Sequence, residues 1–305
     1  MRSLLIFTLV GVGAQLVDGA LGMAFGVTAS TLLVLSGLGA AQASAAVHLA
    51  EVGTTLASGL SHWRFKNIDW PTVAKLGVPG AIGAFAGATV LSSLSTEHAA
   101  PLMAAILVAI GAYVLLRFSL RNPPVLRHGE TPHSAKFLSP LGLFGGFIDA
   151  SGGGGWGPVT TSTLLSRGRT APRTVIGSVS ASEFLVAASA TLGFGIGLRD
   201  EFVANLPVVL GLAVGGVVAA PFAAWLVSRV RPALLGTAVG GVIVLTNSQK
   251  LVHYFDVQWP WSTAIYSLIV IAWATALYVA WRYRRASQPV LAEVEAASAV
   301  AGAGR

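Results

Sequence analysis

The sequence predicts an all-α membrane protein made of two inverted repeats, each a broken re-entrant helical hairpin plus three transmembrane helices, with one extra C-terminal helix. Three observations predict this fold. Hydrophobic residues make up 54% of the 305 residues and charged residues only 10%, whereas soluble domains carry about 25% charged residues. Apolar runs follow one another along the whole chain. A segment with a break inside its apolar run occurs once in each half.

Two of the apolar segments do not have the length of a single crossing, which needs about 20 apolar residues. The segments occupy residues 4–38, 40–62, 71–92, 99–117, 138–166, 171–197, 202–228, 231–250 and 260–282. Segment 4–38 is too long for one crossing and is interrupted near Gly22. Segment 138–166 is divided by four glycines into pieces too short to cross alone. We therefore expect both to be re-entrant hairpins.

The positive charges give the expected orientation. Lys and Arg concentrate near residues 64–66, 117–136, 167–173, 229–231 and 282–285. Cytoplasmic loops of membrane proteins carry an excess of these residues. With the basic loops in the cytoplasm, the first hairpin enters from outside and the second from the cytoplasm. We therefore expect the N-terminus outside, the C-terminus in the cytoplasm, and inverted halves.

The predicted arrangement divides the chain into five parts. These are a first inverted repeat (1–117), a cytoplasmic linker (118–136), a second inverted repeat (137–250), an extra transmembrane helix (251–285) and a disordered cytoplasmic tail (286–305). The net charge of +7 lies in short loops beside apolar spans, so we expect a lipid bilayer and no nucleic acid as partner. The chain has no cysteine, which excludes disulfides. A homo-oligomer is left open.

The repeated segment carries acidic residues at matching places. The first copy opens with Asp18-Gly-Ala-Leu-Gly and the second with Asp149-Ala-Ser and the four glycines, and both end in Ser-Thr-Leu-Leu. A glutamate follows each copy, Glu51 in the first half and Glu183 in the second. The interval from the aspartate to the glutamate is one residue longer in the second half, and we place the extra residue in the glycine run. Repeated breaks with charge beside them indicate a transport site.

The breaks predict a site for a small anion. A helix starts after each break, and the free N–H groups and partial positive charge of a helix N-terminus favour anions. Hydroxyl side chains add donors. The expected substrate-binding residues are Gly22, Gly26, Thr28, Ser30, Thr31, His48, Gly152, Gly153, Gly154, Gly155, Thr160, Thr161, Ser162 and Thr163. Close helix packing is the alternative for the glycines, but it suits isolated glycines better than a run of four.

The four membrane acids have two expected roles. Glu51 and Glu183 lie well inside their segments, and we expect them to be neutral at rest and to exchange protons during transport. Their alternative role is structural, as protonated groups bonded to a neighbouring helix. Asp18 and Asp149 immediately precede the breaks, where a carboxylate can cap free N–H groups.

His48 precedes Glu51 by three residues, on the same helix face. It is a candidate proton partner or substrate donor, and a satisfied buried histidine is the alternative. A histidine and glutamate pair alone is a weak signal for a metal. We therefore assign no metal ligand and no cofactor from the sequence.

The two hairpins together resemble the paired signature of the TauE/SafE family of sulfite and organosulfonate transporters. The resemblance covers the chain to about residue 283. It implies an eight-to-nine-segment carrier of the bacterial inner membrane that exports sulfite or related sulfur oxyanions. The first hairpin departs from the glycine-rich pattern at residues 20–24.

The leading hypothesis is a secondary transporter of a small oxyanion (sulfite, a sulfonate or a related sulfur compound), exporting by alternating access with possible proton coupling. A passive anion channel and a metal-cation carrier that uses the membrane carboxylates remain as alternatives. An enzyme is not expected. The chain has no His-Glu-x-x-His or Gly-x-Ser-x-Gly sequence and no cysteine nucleophile.

Overall fold

The computed structural model describes residues 2–21, 23–120, 133–198, 206–227 and 232–303, which are almost entirely helical. Gly22 and most of the expected linker 118–136 lie outside the described residues. The α-helices are α1 (Arg2–Leu21), α2 (Phe25–Leu35), α3 (Ala40–Arg64), α4 (Trp70–Ser93), α5 (Thr96–Leu120), α6 (Ala135–Gly152), α7 (Ser162–Arg167), α8 (Pro172–Gly197), α9 (Leu206–Val227), α10 (Pro232–Tyr254) and α11 (Trp261–Ala303). A π-helical turn, Gly157–Thr161, leads directly into α7.

Several of the described helices have the length and composition of membrane spans. Four of them are long and apolar enough to cross a bilayer, namely Trp70–Ser93, Glu97–Leu120, Arg173–Gly197 and Trp261–Arg282. Shorter apolar helices are Leu4–Asp18, Phe25–Leu35 and Leu206–Ala219. Large apolar side chains point outward, for example Ile196, which is 74% exposed. The prediction of an all-α membrane protein is therefore confirmed. Helix α11 continues through most of the segment 286–305, which the sequence analysis expects to be disordered.

Both expected hairpins are broken at their repeated motifs. The first break separates the end of α1 from the start of α2, and Leu32 of α2 packs back on Gly13 of α1. The second break follows Gly152, and the returning arm consists of the π-helical turn and α7. The guanidinium of Arg167, at the end of that arm, lies 3.7 Å from the ring centre of Phe137 near the start of α6. Each segment thus returns toward the end at which it began.

Several of the principal helix pairs have a counterpart when the two halves are exchanged. Helix α1 packs along α9 and α4 packs along α6, while α3 packs on α8 and α5 on α10. Helix α4 also packs along α8, and the equivalent contact of α9 with α3 is much less extensive. By their order in the two halves, α1 corresponds to α6 and α4 corresponds to α9. The pair α1 and α9 is therefore equivalent to the pair α6 and α4. Backbones touch closely at these crossings because glycine stands there. A Cβ at Gly146 would overlap the carbonyl oxygen of Gly80, and one at Gly215 that of Thr8.

Three of the basic segments, near residues 64–69, 117 and 167–173, lie at one end of the molecule. The backbone N–H of Asp69, after α3, donates to Ser178 Oγ near the start of α8 at 2.8 Å. Arg117, near the end of α5, donates to Ser166 Oγ in α7 at 3.1 Å. At the other end, Lys250 Nζ donates to the carbonyl oxygen of Val34 in α2 at 3.3 Å. The two hairpins therefore enter the molecule from opposite ends.

His133 lies at the basic end and is only 3% exposed. Burial is the main cause that lowers the pKa of His133, and the charges of Arg167 and Arg169 lower it further against an opposing effect of Asp69. A lowered pKa in the folded state means that folding favours the neutral ring. The resulting stabilisation is present above the usual value of 6.5 and is lost as the pH falls below it.

The detergent-purified wild type should lose thermal stability when the pH falls from about 7.5 to about 5.5. We expect His133→Phe to lose less, because phenylalanine has no ring nitrogen to protonate. The measurement is the midpoint of thermal unfolding at each pH. His98→Phe, at an exposed position, is the control and should keep the wild-type slope. An unchanged slope in His133→Phe would contradict the prediction.

Candidate functional site

Each hairpin break is held by an aspartate that precedes it. Asp18 Oδ1 accepts a hydrogen bond from the backbone N–H of Phe25 at 3.2 Å. Asp149 Oδ1 accepts one from the backbone N–H of Trp156 at 2.8 Å. In both copies the donor lies seven residues after the aspartate, at the start of the returning arm. This is the contact that a capping carboxylate makes with a free amide.

The tips of the two hairpins are in direct contact through their backbones. Gly154 lies against Gly26 and Val27 so closely that a Cβ at Gly154 would overlap the backbone nitrogen of Val27. On the equivalent side, a Cβ at Gly157 would lie 3.0 Å from Met23 Cβ. A second reason also requires glycine at position 154, because its φ of 143° is one that other residues rarely adopt.

Two serine hydroxyls strengthen the contact between the tips. Ser30 Oγ, in the first hairpin, donates to the carbonyl oxygen of Gly153 in the second. Ser162 Oγ, in the second hairpin, lies 3.4 Å from Met23 Sδ in the first. Both serines are completely buried, and they occupy matching places in the Ser-Thr-Leu-Leu sequences. The two hairpins therefore exchange similar contacts in both directions.

A cavity of about 220 Å³ lies beside the contact between the tips. All four membrane acids, Asp18, Glu51, Asp149 and Glu183, line it. The cavity also reaches the last turns of α3 and the first turns of α8, which end near the basic loops. Hence a polar chamber extends from the middle of the molecule toward its basic end.

The chamber offers amide donors from both hairpins. The first helical hydrogen bonds after the breaks are Thr28 N–H to Ala24 O at 3.2 Å and Val159 N–H to Gly155 O at 2.9 Å. The backbone N–H groups of Gly26 and Gly157 precede these bonds, and both residues line the cavity. No lysine or arginine is among the described residues that line it. The groups of the described lining that favour an anion are therefore the helix N-termini and His62.

His48 is completely buried and joins α3 to the second break. Its Nδ1 lies 2.8 Å from the carbonyl oxygen of Ser44, and its Nε2 lies 3.1 Å from Asp149 Oδ2. Each contact joins two acceptor-capable atoms, so each needs a hydrogen atom. The hydrogen atom of the contact with Ser44 belongs to Nδ1, and that of the contact with Asp149 can lie on either partner. Ser44 Oγ also donates to the carbonyl oxygen of Ala150 at 2.6 Å.

Glu51 lies one helical turn after His48 and is 4% exposed. Among the described residues, its Oε2 atom has no hydrogen-bond partner. One ligand-type atom each of His48, Glu51 and Asp149 lies within 4.8 Å of the others. Glu183, the matching residue in α8, is partly exposed to the same cavity.

The structure divides the residues expected to bind substrate into two groups. Those that line the cavity, together with the four acids, are Gly26, Gly155 and Thr161. None of the other expected residues that the structure describes lines it, and Gly22 lies outside the described residues. Thr160 Oγ1 and Thr163 Oγ1 donate to carbonyl oxygens of their own helical arm, at 2.6 Å and 2.5 Å.

The remaining members of the second group have structural surroundings. Thr31 Oγ1 accepts from Asn247 Nδ2 at 3.2 Å. Gly152 packs against Ile106. Thr28 Oγ1 is buried without a partner among the described residues. Ser30, Ser162, Gly153 and Gly154 join the tips, and His48 pairs with Asp149. The functional roles of both groups stay predictions.

Three polar residues of the chamber were missed by the sequence analysis as site residues. Ser180 Oγ donates to Ser58 Oγ at 2.8 Å, and His62 lines the cavity beyond them. Ser58 and His62 follow Glu51 by seven and eleven residues, which places all three on one face of α3. Helical spacing from Glu51 was therefore the signal that could have found Ser58 and His62, and spacing of three residues from Glu183 was the signal for Ser180.

The extra residue of the second repeat does not lie in the glycine run, and that expectation was wrong. The aspartate-to-amide bond spans seven residues in both copies, so the two breaks have the same length. The difference falls in the π-helical turn Gly157–Thr161, which has no counterpart in α2. A π-turn accommodates one additional residue within an α-helix and leaves the helical turns on either side intact, and such turns are frequent at functional sites.

Comparisons with known proteins agree with the resemblance noted from the hairpins. The profile of the family described as "Sulfite exporter TauE/SafE" matches residues 7–249. The chain is 48% identical over 272 residues to a "Probable membrane transporter protein YtnM" of Bacillus subtilis (strain 168), covering 89% of each chain. No solved structure matches the chain.

Proposed function

The chain belongs to the sulfite exporter TauE/SafE family, and we propose that it is a secondary carrier of a small oxyanion such as sulfite or a sulfonate. The observation that carries the proposal is the meeting of two hairpin tips beside a buried cavity, with an amide-bearing helix start from each hairpin. Opposed helix N-termini at the junction of two repeats are a recurrent way for transporters to hold anionic groups. The cavity has room for a small ligand.

Alternating access between two inverted halves is the mechanism that we propose. The hairpins enter from opposite ends of the molecule, and the pair α1 and α9 has its counterpart in the pair α6 and α4, which supports inverted repeats. The chamber extends toward the basic end, which we assign to the cytoplasm of a bacterium. The backbone contact between the tips supports a carrier that has to move rather than a channel that stays open.

The acids of the chamber determine how an anion is accommodated. Four carboxylic groups and no described lysine or arginine line the cavity, so an oxyanion would be repelled if all four were ionised. We assign protons to Glu51 and Glu183 in the anion-loaded state. Protons and the anion then move in the same direction, so a pH gradient drives the anion toward the more alkaline side of the membrane.

Flux measurements in proteoliposomes test this proposal. We expect saturable flux of sulfite or short sulfonates that increases with a pH gradient, because protonated carboxyl groups admit the anion. Empty liposomes give the background. Lack of flux for every anion under every gradient, or flux that neither saturates nor depends on a gradient, would contradict a proton-coupled carrier.

We expect Glu51→Gln and Glu183→Gln to remove the pH dependence of that flux, since glutamine keeps the shape of a protonated glutamate and cannot release a proton. Flux at the most favourable pH should fall by less than flux at the least favourable pH. Glu97→Gln, at an exposed position of α5, is the matched control. Full pH dependence in both cavity variants would rule out coupling through these glutamates.

A further inference from the structure

Three ligand-type side chains from two elements meet at the second break. His48 and Glu51 come from α3, and Asp149 comes from the last turn of α6. All three are at least nine-tenths buried, and one donor atom of each lies within 4.8 Å of the others. We propose that they form a binding site for a divalent first-row metal cation such as Zn²⁺ or Mn²⁺.

The distances suit a metal after a small adjustment. Metal–ligand bonds of about 2.0–2.2 Å place two ligand atoms roughly 3–4 Å apart. His48 Nε2 and Asp149 Oδ2 are already 3.1 Å apart. All three ligand atoms lie within 4.8 Å of one another, so an inward shift of the Glu51 carboxylate completes the set.

The hydrogen bond on the far side of the imidazole prepares His48 for coordination. With a proton on Nδ1 donated to the Ser44 carbonyl oxygen, Nε2 directs its lone pair toward Asp149 when no second proton is bound. Metal-binding histidines almost always donate their other ring N–H to a carbonyl or carboxylate in this way, which fixes the ring orientation. Asp149 is held similarly, because its other oxygen accepts from the Trp156 amide.

The unpartnered oxygen of Glu51 is the second observation that indicates a ligand. Burial of a carboxylate oxygen without a hydrogen bond is costly, and among the described residues Oε2 has none. A cation coordinated by this oxygen removes the cost. Because Glu51 and Asp149 also line the cavity, the remaining coordination positions of the ion are open to water or to a substrate oxygen.

The donor set and its charge fit a borderline divalent ion. One imidazole nitrogen with two carboxylates is the donor set that Zn²⁺, Mn²⁺ and related ions share. Two ionised carboxylates balance one divalent cation, so the loaded cluster is neutral in a buried place. The ion therefore replaces the protons that the cluster carries without it. This inference does not depend on which anion the protein transports.

Metal binding by the purified full-length protein tests the site without any transport measurement. After treatment with a chelator, the protein is titrated with Zn²⁺ by calorimetry and with Co²⁺ by visible absorption, which reports on the ligands directly. We expect saturation at one ion per chain. His48→Gln and Glu51→Gln should each weaken binding at least about tenfold, the scale reached by loss of even an outer-shell partner.

Two further variants keep the test decisive. Glu51→Asp retains a carboxylate on a shorter side chain, so it should bind more tightly than Glu51→Gln if coordination is the cause. The double variant Glu97→Gln and His98→Gln removes the same chemical groups from an exposed turn of α5 and should bind as the wild type does. Absence of saturable binding in a folded wild type, or equal binding in folded His48→Gln and Glu51→Gln, would overturn the site while leaving the carrier proposal standing.

Discussion

Gly154→Ala is expected to abolish transport and to lower the free energy of unfolding by about 2–5 kcal/mol. Two costs add. A φ of 143° is one that alanine adopts only with strain of about 1–3 kcal/mol. The new methyl group would also overlap backbone atoms of Gly26 and Val27, and main-chain atoms cannot turn aside as a side chain can. Relief of the overlap requires the hairpin tips to separate.

Thermal unfolding in detergent and flux in proteoliposomes measure the two effects of Gly154→Ala. Gly195→Ala is the matched control, because a Cβ there meets nothing within 4 Å. In a helix interior this change is expected to be neutral or to stabilise by about 0.5–1 kcal/mol. A variant Gly154→Ala with wild-type stability and flux would show that the tips do not need this contact.

Asp149→Ala is expected to destabilise the protein far more than Asp18→Ala, although the two aspartates occupy equivalent places. Asp149 accepts from the Trp156 amide and also pairs with buried His48. Its removal leaves a buried partner unpaired, at a cost of about 3–5 kcal/mol. Asp18 makes the longer bond to Phe25 and is less buried, so its loss should cost about 1 kcal/mol, as for a helix cap.

Asp149→Asn separates the two contributions of Asp149. The amide oxygen can still accept from the Trp156 N–H, and its NH₂ group can donate to the neutral Nε2 of His48. We therefore expect most of the stability to return, while flux stays impaired because a carboxylate that lines the cavity is lost. Denaturant titration of the four proteins, wild type included, measures the order. Equal losses for Asp18→Ala and Asp149→Ala would contradict the proposed difference.

The helical membrane fold and the breaks could be predicted because they depend on local properties of the chain. Few charges, apolar runs and four consecutive glycines are visible without any knowledge of tertiary contacts. The acids could be singled out for the same reason, since Asp149 and Glu183 stand out in any apolar segment. These features identified the region of the cavity, and the structure places all four acids along its wall.

The lining of the cavity could not be predicted, because it depends on which groups are already satisfied. Thr160 and Thr163 were expected to bind substrate, but each hydroxyl donates to a carbonyl oxygen four residues earlier, a common alternative for threonine in a helix. The pairing of His48 with Asp149 joins residues of different halves. No spacing in the sequence reveals such a pair.

The two hairpins contact each other through main-chain atoms, and no side chain separates Gly26 from Gly154. A displacement of one hairpin along the membrane normal therefore displaces the other hairpin as well. Opening on one face of the bilayer and closing on the other would then be a single mechanical event, and leakage through a half-moved intermediate would be suppressed by geometry alone.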